Sequence, residues 1–395
     1  MAESPKLATP AQRKRLAIFL DGTWNVVGDN TNVWRLKSLC AAVDAGETRQ
    51  LAYYERGVNG FLGGMFGKGL DQNITDAYQW LIDNYEAADD IFIFGFSRAA
   101  YTARSLAGFI AKCGLLKSGA PLGVKQLYNR YRRANERTIW ALLDAQQNST
   151  LRDMALEEQW IIKYSMAIHI KLVGVWDTVG ELGIPLFSIS GISRSTLAFL
   201  TTGLRRPIDF GFQALAVDEH RRAFSPTLWT VRRLNDTDPD APPPRPLSSV
   251  EQRCFVGAPA DVGGGYESDL LPQIPLRWLM KKASLHGLSF RNDVDLDGAE
   301  LNAPITDSYR AFMYGIYHWF SPPYYRPIAE PPKMAEHGAD NTVNETIDAS
   351  VFARWNNDAN YRPPNLAAWA KRQRVVIETL ATSVLADNPA MSAPD

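Results

Sequence analysis

Short apolar runs alternate along this chain with stretches whose apolar residues recur every three or four positions. The runs predict buried strands at 16–20, 50–55, 91–94, 170–176 and 253–256. The helical spacing predicts helices at 31–44, 71–86 and 98–112. Strands that alternate with helices predict a doubly wound α/β fold, in which helices cover both faces of a mostly parallel sheet.

The main domain is predicted to span residues 15–290, after a polar, flexible leader at 1–14. A polar helical insertion at about 120–166 interrupts it between the third and fourth strands. An exposed proline-rich loop at 234–248 is too polar and too poor in N–H donors for regular structure.

The last part of the chain, 291–395, is predicted to be a C-terminal extension packed on the same domain. It contains a second proline-rich stretch at 321–332, a helix near 366–382 and a disordered tail.

Composition excludes several classes of protein. The chain has 395 residues, of which 46% are hydrophobic and 22% charged, and its net charge is −1. This balance argues against a nucleic-acid arm or a polybasic membrane patch. Three scattered cysteines exclude a disulfide framework and a CxxC zinc site. No apolar run approaches the roughly 18 residues of a membrane helix, and no signal peptide is evident. We therefore expect a cytoplasmic protein, or one exported without a cleaved signal.

The strongest chemical signal is the sequence Gly95-Phe96-Ser97-Arg98-Ala99, directly after one predicted strand and before a helix. Small residues two positions before and after a serine allow the tight turn called a nucleophile elbow. The helix behind Ser97 would offer backbone N–H groups, such as that of Arg98, to an oxyanion. The alternative is a helix-capping serine in a close strand–helix packing.

Two more strand ends carry polar residues. Asp177 follows the strand 170–176, so its carboxylate is expected at the carboxyl edge of the sheet, where ligands bind in open α/β folds. It is a candidate catalytic acid or, alternatively, a turn-capping residue. Gly22 and Thr23 follow the first strand and are candidates for a further oxyanion N–H, or simply form a turn with Asp21.

Two loops are candidate lids. The glycine-rich loop at 57–69 carries four apolar side chains, and it is predicted to be a mobile lid, a lip facing a membrane surface, or a buried loop. These side chains are Phe61, Leu62, Met65 and Phe66. A second apolar loop, Leu182–Phe199, is a further lid candidate.

Six motifs together resemble one family. They are FLDGTWN (19–25), YYERGVNG (53–60), GFSRAAYTAR (95–104), GVWDTVG (174–180), ALAVDEHRRAFSPTLW (214–229) and DVGGGYESDLLPQIPLRWL (261–279). In this order they resemble a bacterial α/β-hydrolase family, long a domain of unknown function, that includes the catalytic domain of type VI secretion phospholipase effectors. The resemblance implies a Ser97 nucleophile, Asp177 as acid, and an ester or glycerolipid substrate.

The chain departs from this family at one position. The family pattern has a histidine two residues before DVGGGY, where this chain has Pro259. Proline cannot accept the serine proton. His220 follows Asp177 in chain order, in a run 212–220 that reads as helical, and is the best remaining candidate base. The alternative is a surface helix histidine beside Asp218 and Glu219, and these two acids are expected to form a structural ion-pair cluster with Arg221 and Arg222.

Two functions remain open at this point. The first is a serine hydrolase of carboxylic esters, lipase- or phospholipase-like, which needs no metal or organic cofactor. The second is a catalytically impaired homologue that binds lipid or protein. Metal-assisted hydrolysis by Asp21, Asp177 and Asp261 is disfavoured, because no histidine or cysteine accompanies them at ligand spacing.

Overall fold

A single parallel sheet organises the chain in the computed structural model. The structure describes residues 13–22, 30–56, 66–133, 136–147, 154–178, 207–231, 245–266, 270–312, 316–330, 341–380 and 391–392. The strands in these ranges are β1 (Arg15–Leu20), β2 (Gln50–Glu55), β3 (Asp90–Phe96), β4 (Leu115–Leu116), β5 (Ser165–Met166), β6 (Ile170–Trp176), β7 (Ile208–Ala216), β8 (Thr230–Val231), β9 (Val250–Phe255), β10 (Asn341–Thr342), β11 (Glu345–Ile347) and β12 (Met391–Ser392).

Eight of these strands form the main sheet, in the order β12-β11-β9-β7-β6-β3-β1-β2. Neighbouring strands run parallel except for β11 and β12, which pair antiparallel. Because every connection between neighbouring parallel strands must cross over the sheet, the intervening helices lie on its faces. The predicted mostly parallel, doubly wound, α/β-hydrolase-like fold is thereby confirmed.

Helices pack on both faces of this sheet. They are α1 (Asn32–Leu39), α2 (Phe66–Asn84), α3 (Arg98–Cys113), α4 (Val124–Arg132), α5 (Ile139–Gln147), α6 (Leu156–Tyr164), α7 (Pro259–Gly263), α8 (Gln273–Leu285), α9 (Ser308–Ala311), α10 (Tyr317–Phe320), α11 (Ala349–Asn357) and α12 (Pro364–Gln373). Along β1, Leu16 and Ile18 join the core beneath α2 and α3, whereas Ala17 and Phe19 join the core beneath α1 and α8. This alternation explains why β1 is apolar from Leu16 to Leu20.

Two predicted helix boundaries were wrong. The first helix ends at Leu39 rather than at 44, because the chain after it pairs with a distant segment. Cys40 and Phe290 form an isolated antiparallel β-bridge through their backbones, and the Ala41 N–H donates to the Ser289 carbonyl oxygen at 2.9 Å. The second helix begins at Phe66 rather than at 71, so its first turn takes in part of the predicted glycine-rich loop.

The run before His220 was also misread, because its first residues are strand β7 and not a helix. Its apolar residues satisfy a period of two as well as the helical period, and β7 is flanked by β6 and β9. The predicted terminal helix near 366–382 is shorter, since α12 ends at Arg374 in the left-handed conformation with a φ of 56°. There the Val375 N–H returns to the Ala370 carbonyl oxygen at 3.1 Å.

The described residues of the predicted polar insertion include the helices α4 to α6. The antiparallel pair of β4 and β5 brings its two ends together. Among the residues that the structure describes, no helix is both long and apolar enough to cross a bilayer.

Residues near the C-terminus contribute a strand and a core. β11 adds to the sheet beside β9, and Phe352 and Trp369 stack with ring centres 5.8 Å apart. These two rings share a core with residues of β7 and β9. The Asn365 side chain also donates to the Val217 carbonyl oxygen at 3.0 Å, next to the carboxyl end of β7.

If the extension and the sheet form one cooperative unit, Phe352→Ala should lower the free energy of unfolding of the whole domain. Phe352 is fully buried, and truncating such a residue costs about 3–5 kcal/mol. Urea unfolding followed by fluorescence and by circular dichroism should show one transition, shifted equally in both signals. The exposed Val376→Ala should shift it by less than about 0.5 kcal/mol. A second, separate transition that alone responds to Phe352→Ala would contradict this expectation.

Candidate active site

Ser97 occupies a strained turn between β3 and α3. Its backbone has a φ of 55° and a ψ of −120°, a combination that residues with a side chain rarely adopt. The side chain is partly exposed and makes no capping hydrogen bond to the first turn of α3. Ser97 is therefore not a conventional helix cap. The turn presents its hydroxyl at the carboxyl edge of the sheet.

Two glycines make this turn possible. A Cβ atom at Gly95 would lie 2.5 Å from the Ala99 carbonyl oxygen and 2.9 Å from the Ala100 Cα atom. A Cβ atom at Gly263 would lie 2.1 Å from the ring of Phe96. The helix α3 on one side and α7 on the other thus close tightly around the residues that precede Ser97.

Asp177 lies beside Ser97, at the end of the neighbouring strand. Phe96 and Trp176 are paired across β3 and β6, and the Ser97 N–H donates to the Trp176 carbonyl oxygen at 3.0 Å. Asp177 also has a positive φ, of 37°, and its side chain is fully buried. The two strand ends that the sequence singled out are therefore neighbours in the structure.

The carboxylate of Asp177 is bound by Arg326. The guanidinium donates from Nη1 to Oδ1 at 2.5 Å and from Nη2 to Oδ2 at 3.0 Å, and the Ala216 N–H donates to Oδ1 at 3.1 Å. Both partners are buried, so this is a bidentate ion pair that is shielded from water. Burial alone would lower the pKa of Arg326, but the adjacent Asp177 carboxylate raises it above its usual value.

Arg326 is fixed by further contacts at the same edge. Nη1 donates to the Ala216 carbonyl oxygen at 3.0 Å and Nη2 to the Phe224 carbonyl oxygen at 2.7 Å. Arg326 was not predicted from the sequence because it lies in the stretch 321–332, which was expected to be an irregular proline-rich loop. The available signal was an arginine set directly between Tyr325 and Pro327-Ile328, surroundings that favour burial.

His220 lies just beyond β7 and is held by the same proline-rich stretch. Its Nδ1 is 3.2 Å from the Tyr324 carbonyl oxygen, and its ring meets that of Tyr325 edge-on at 4.9 Å. Since a carbonyl oxygen can only accept, Nδ1 carries the hydrogen in this contact and Nε2 is left as the basic nitrogen. Hydrogen bonds thus connect Asp177 to Arg326 and His220 to Tyr324. The roles of Asp177 as acid and of His220 as base remain predictions.

The acidic residues before His220 do not form the predicted four-residue ion-pair cluster. Glu219 pairs with Arg221 at 2.5 Å, as expected. Asp218 instead accepts from the Gly257 N–H at 2.7 Å and from the Tyr361 hydroxyl at 3.1 Å, and burial raises its pKa. Arg222 lies over the ring of Tyr324, 5.2 Å from its centre. The reason is that Asp218 points toward β9 and the C-terminal extension.

Pro259 is the first residue of the short helix α7, a position that proline suits because its missing N–H would have no helical partner.

The buried Asp261 organises the surrounding loop. It accepts from the Ala258 N–H at 2.9 Å and from the N–H and hydroxyl of Thr306, both at 3.0 Å. Burial raises the pKa of Asp261. This carboxylate has a structural role in the loop that contains Pro259.

Of the predicted oxyanion donors, Gly22 has its N–H directed to the Asp21 side chain at 2.8 Å. Asp21 also accepts from the Thr31 hydroxyl at 2.6 Å and the Tyr54 hydroxyl at 2.8 Å. Asp21 therefore binds its own turn, which is the alternative that the sequence left open. Thr23 lies outside the described residues.

Arg98 directly follows Ser97 and is the first residue of α3. Burial of its side chain lowers the pKa of the guanidinium to about 10.

The candidate lids fall largely outside the described part of the chain. Phe61, Leu62, Met65 and the loop Leu182–Phe199 are not described, and Phe66 is described only as the first residue of α2. In the described ranges no group of three or more histidine, cysteine, aspartate or glutamate side chains could hold a metal ion.

Comparisons with known proteins place these features in a family. The family model described as "T6SS, Phospholipase effector Tle1-like, catalytic domain" matches residues 14–282. A curated relative, "Uncharacterized protein YEL023C" of Saccharomyces cerevisiae, is 27% identical over 300 residues, which are 70% of this chain and 40% of that protein.

Two solved structures are also similar. An uncharacterized protein from Pseudomonas aeruginosa gives a TM-score of 0.47 at 15% identity, over 75% of this chain and 49% of that one. The Tle1 effector bound to the VgrG spike from the type 6 secretion system gives a TM-score of 0.33 at 17% identity, over 65% of this chain and 51% of that one. The chain thus spans about half the length of these relatives, or less.

Backbone strain at Ser97 should be detectable as a difference in the free energy of unfolding between variants at this position. Glycine accepts positive φ without a steric penalty, so Ser97→Gly should unfold at higher urea than Ser97→Ala, with a difference of about 1 kcal/mol. The same pair at Ser105, which lies within α3, should show the opposite order by about 1 kcal/mol. Equal stabilities of the two Ser97 variants would show that the turn holds no strain.

Removing only one partner of the Asp177–Arg326 pair should strongly lower the free energy of unfolding. Arg326→Met leaves a buried carboxylate without its counter-ion, so the free energy of unfolding should fall by about 3–5 kcal/mol. Asp177→Asn combined with Arg326→Met should recover part of that loss. Arg310→Met, which breaks the exposed pair with Asp307, should cost less than about 1 kcal/mol. An equally small effect of Arg326→Met in urea unfolding would contradict a buried ion pair.

Proposed function

Because the chain belongs to the family of Tle1-like catalytic domains of type VI secretion phospholipase effectors, we propose that it is a serine hydrolase. Its substrate would be the carboxylic ester of a glycerophospholipid or a related glycerolipid, and Ser97 would be the nucleophile. The family supports a lipase- or phospholipase-like hydrolase, and the identity of the nucleophile rests on the geometry of the elbow.

The backbone of Ser97 is the observation that carries this proposal. A non-glycine residue in such a conformation costs about 1–3 kcal/mol and persists where the surrounding structure enforces it. Gly95 and Gly263 are the residues that allow the enforcing contacts. Strain of this kind at the end of a central strand, directly before a helix, is the arrangement that exposes a nucleophilic serine in α/β-hydrolases.

The proposed reaction has two steps. The Ser97 hydroxyl oxygen attacks the acyl carbonyl carbon, and its proton passes through a base to the alcohol that leaves. Water then attacks the acyl-serine ester and releases the fatty acid. Backbone N–H groups at the start of α3, including that of Arg98, would stabilise the oxyanion, and the helix dipole would add to their effect.

The base in this scheme would be His220, acting through Nε2. Because Arg326 already neutralises Asp177, that carboxylate would contribute little to stabilising an imidazolium. We propose instead that the Asp177–Arg326 pair shapes the strand end beside Ser97. Weak activation of the serine follows from this arrangement, since an unassisted base lacks the orienting carboxylate of a full triad.

A second candidate function is a homologue that binds lipid or protein without cleaving an ester. Two observations favour it: Pro259 stands where the resembling family has its histidine, and Asp177 is engaged by Arg326. Both remove parts of a serine–histidine–acid triad while leaving the elbow in place.

A fluorophosphonate distinguishes the two candidates, because it bonds covalently to an activated serine. The wild type should gain the mass of one phosphonyl group, and Ser97→Ala should lose at least about 10³-fold in labelling rate, given the size of nucleophile knockouts in serine hydrolases. His220→Gln should lower the rate if His220 is the base. Ser105→Ala, a buried serine in α3, is the matched control and should label like the wild type.

Two outcomes would count against the hydrolase. Equal labelling of wild type and Ser97→Ala would place the reactive group elsewhere. Absence of labelling in a folded wild type would favour the binding function.

A further inference from the structure

Exposed aromatic side chains are concentrated in one segment of the C-terminal extension. Trp319 and Phe320 are 75% and 82% exposed, and Ile316 and Tyr325 are 52% and 39% exposed. We call the three aromatic residues, together with Ile316, the aromatic surface. They lie outside residues 14–282, so the family match does not account for them.

Contacts of Tyr309 and Phe312 hold the segment that carries the aromatic surface. Tyr309 is buried and its ring meets that of Tyr317 edge-on at 6.0 Å, while Phe312 meets Tyr317 edge-on at 5.4 Å. The Tyr309 hydroxyl also donates to the Ser321 carbonyl oxygen. The residues on both sides of Trp319 and Phe320, namely Tyr317 and Ser321, thus contact the buried Tyr309.

The segment that carries the aromatic surface leads directly into residues that contact the candidate active site. The Tyr324 N–H donates to the His220 carbonyl oxygen at 2.9 Å, and the Tyr325 ring contacts the His220 ring. The next residue, Arg326, binds Asp177. One stretch of chain therefore runs from the exposed rings to the strand end beside Ser97.

The charges around the aromatic surface complement a phospholipid surface. Arg222 is exposed and lies over the Tyr324 ring, and Arg310 is 78% exposed, with Asp307 as its partner at 3.5 Å. Tryptophan and tyrosine are enriched at the level of lipid headgroups, where an apolar ring and a polar atom are both accommodated. Arginine at this level can pair with lipid phosphates.

We propose that the aromatic surface docks the protein on a phospholipid bilayer, with Trp319 and Phe320 inserted among the headgroups. This inference rests on the proposed function only for the identity of the substrate, since docking itself does not require Ser97. It places the edge that carries Ser97 toward the membrane, where an ester of a phospholipid would be found. The predicted contact through Phe61, Leu62, Met65 and Phe66 remains a separate prediction.

Flotation with phosphatidylcholine vesicles, with and without phosphatidylglycerol, tests the proposal. Ser97→Ala serves as the parent protein, so that no lipid is hydrolysed during the measurement. The further change Trp319→Ala with Phe320→Ala should lower the vesicle partition coefficient at least about tenfold, because two large apolar side chains lose their burial in the membrane. Phosphatidylglycerol should strengthen binding of the parent.

The matched control is Leu156→Ala with Trp160→Ala, which removes an exposed leucine and an exposed tryptophan from α6 in the insertion. It should partition like its parent. Circular dichroism melting establishes that each variant is folded.

Two results would overturn the proposal. One is partitioning that Trp319→Ala with Phe320→Ala leaves unchanged, including absence of binding by the parent. The other is a dimer in sedimentation velocity that this double variant converts to a monomer, without any change in partitioning, since a second copy would then cover the aromatic surface. Failure of the hydrolase proposal would appear separately, as a wild type that the fluorophosphonate does not label.

Discussion

A negative charge at the end of a central strand has to be neutralised once it is taken out of water, and in this protein Arg326 supplies the opposite charge to Asp177. The two residues are 149 positions apart in the chain, so the contact joins the sheet to the proline-rich stretch of the C-terminal extension. That stretch also holds His220 through Tyr324, and the exposed rings of Trp319 and Phe320 directly precede it. The buried ion pair and the Tyr324 contact thus join the proline-rich stretch to the carboxyl edge beside Ser97.

Ser97 depends on a different kind of constraint, which is steric. Its backbone conformation is unfavourable by itself, and the contacts of β3 with β6, α3 and α7 maintain it. Such a turn exposes a serine at the edge of the sheet in α/β-hydrolases, and it is the basis on which Ser97 is proposed as the nucleophile. Two features distinguish this candidate site from one with a full serine–histidine–acid triad, namely Pro259 and the ion pair of Asp177 with Arg326. Together they predict an enzyme with a poorly assisted serine.

The pattern of apolar and small residues in the sequence correctly predicted strands and turns that depend on neighbouring residues alone. β1 and β3 are continuous apolar runs because both faces are covered, and the small residues around Ser97 are required by the turn itself. The run before His220 was misassigned because its apolar positions satisfy a period of two as well as a helical period, and pairing with β6 and β9 decides between them. Arg326 could not be assigned to Asp177, since nothing in sequence specifies a contact between segments so far apart. At Asp21 and Gly22 the sequence left two alternatives open, and the Gly22 N–H donates to the Asp21 side chain, as in a local turn.

The central claim, that Ser97 cleaves phospholipid esters, is tested most directly by measuring fatty acid released from phosphatidylcholine vesicles by mass spectrometry. Wild type and Ser97→Ala should be compared at equal concentration, after both are shown to be folded and to bind the vesicles equally. The account predicts slow release by the wild type and release at the rate of the buffer by Ser97→Ala. Release at the same rate by both proteins, or no release by a vesicle-bound wild type, would contradict it.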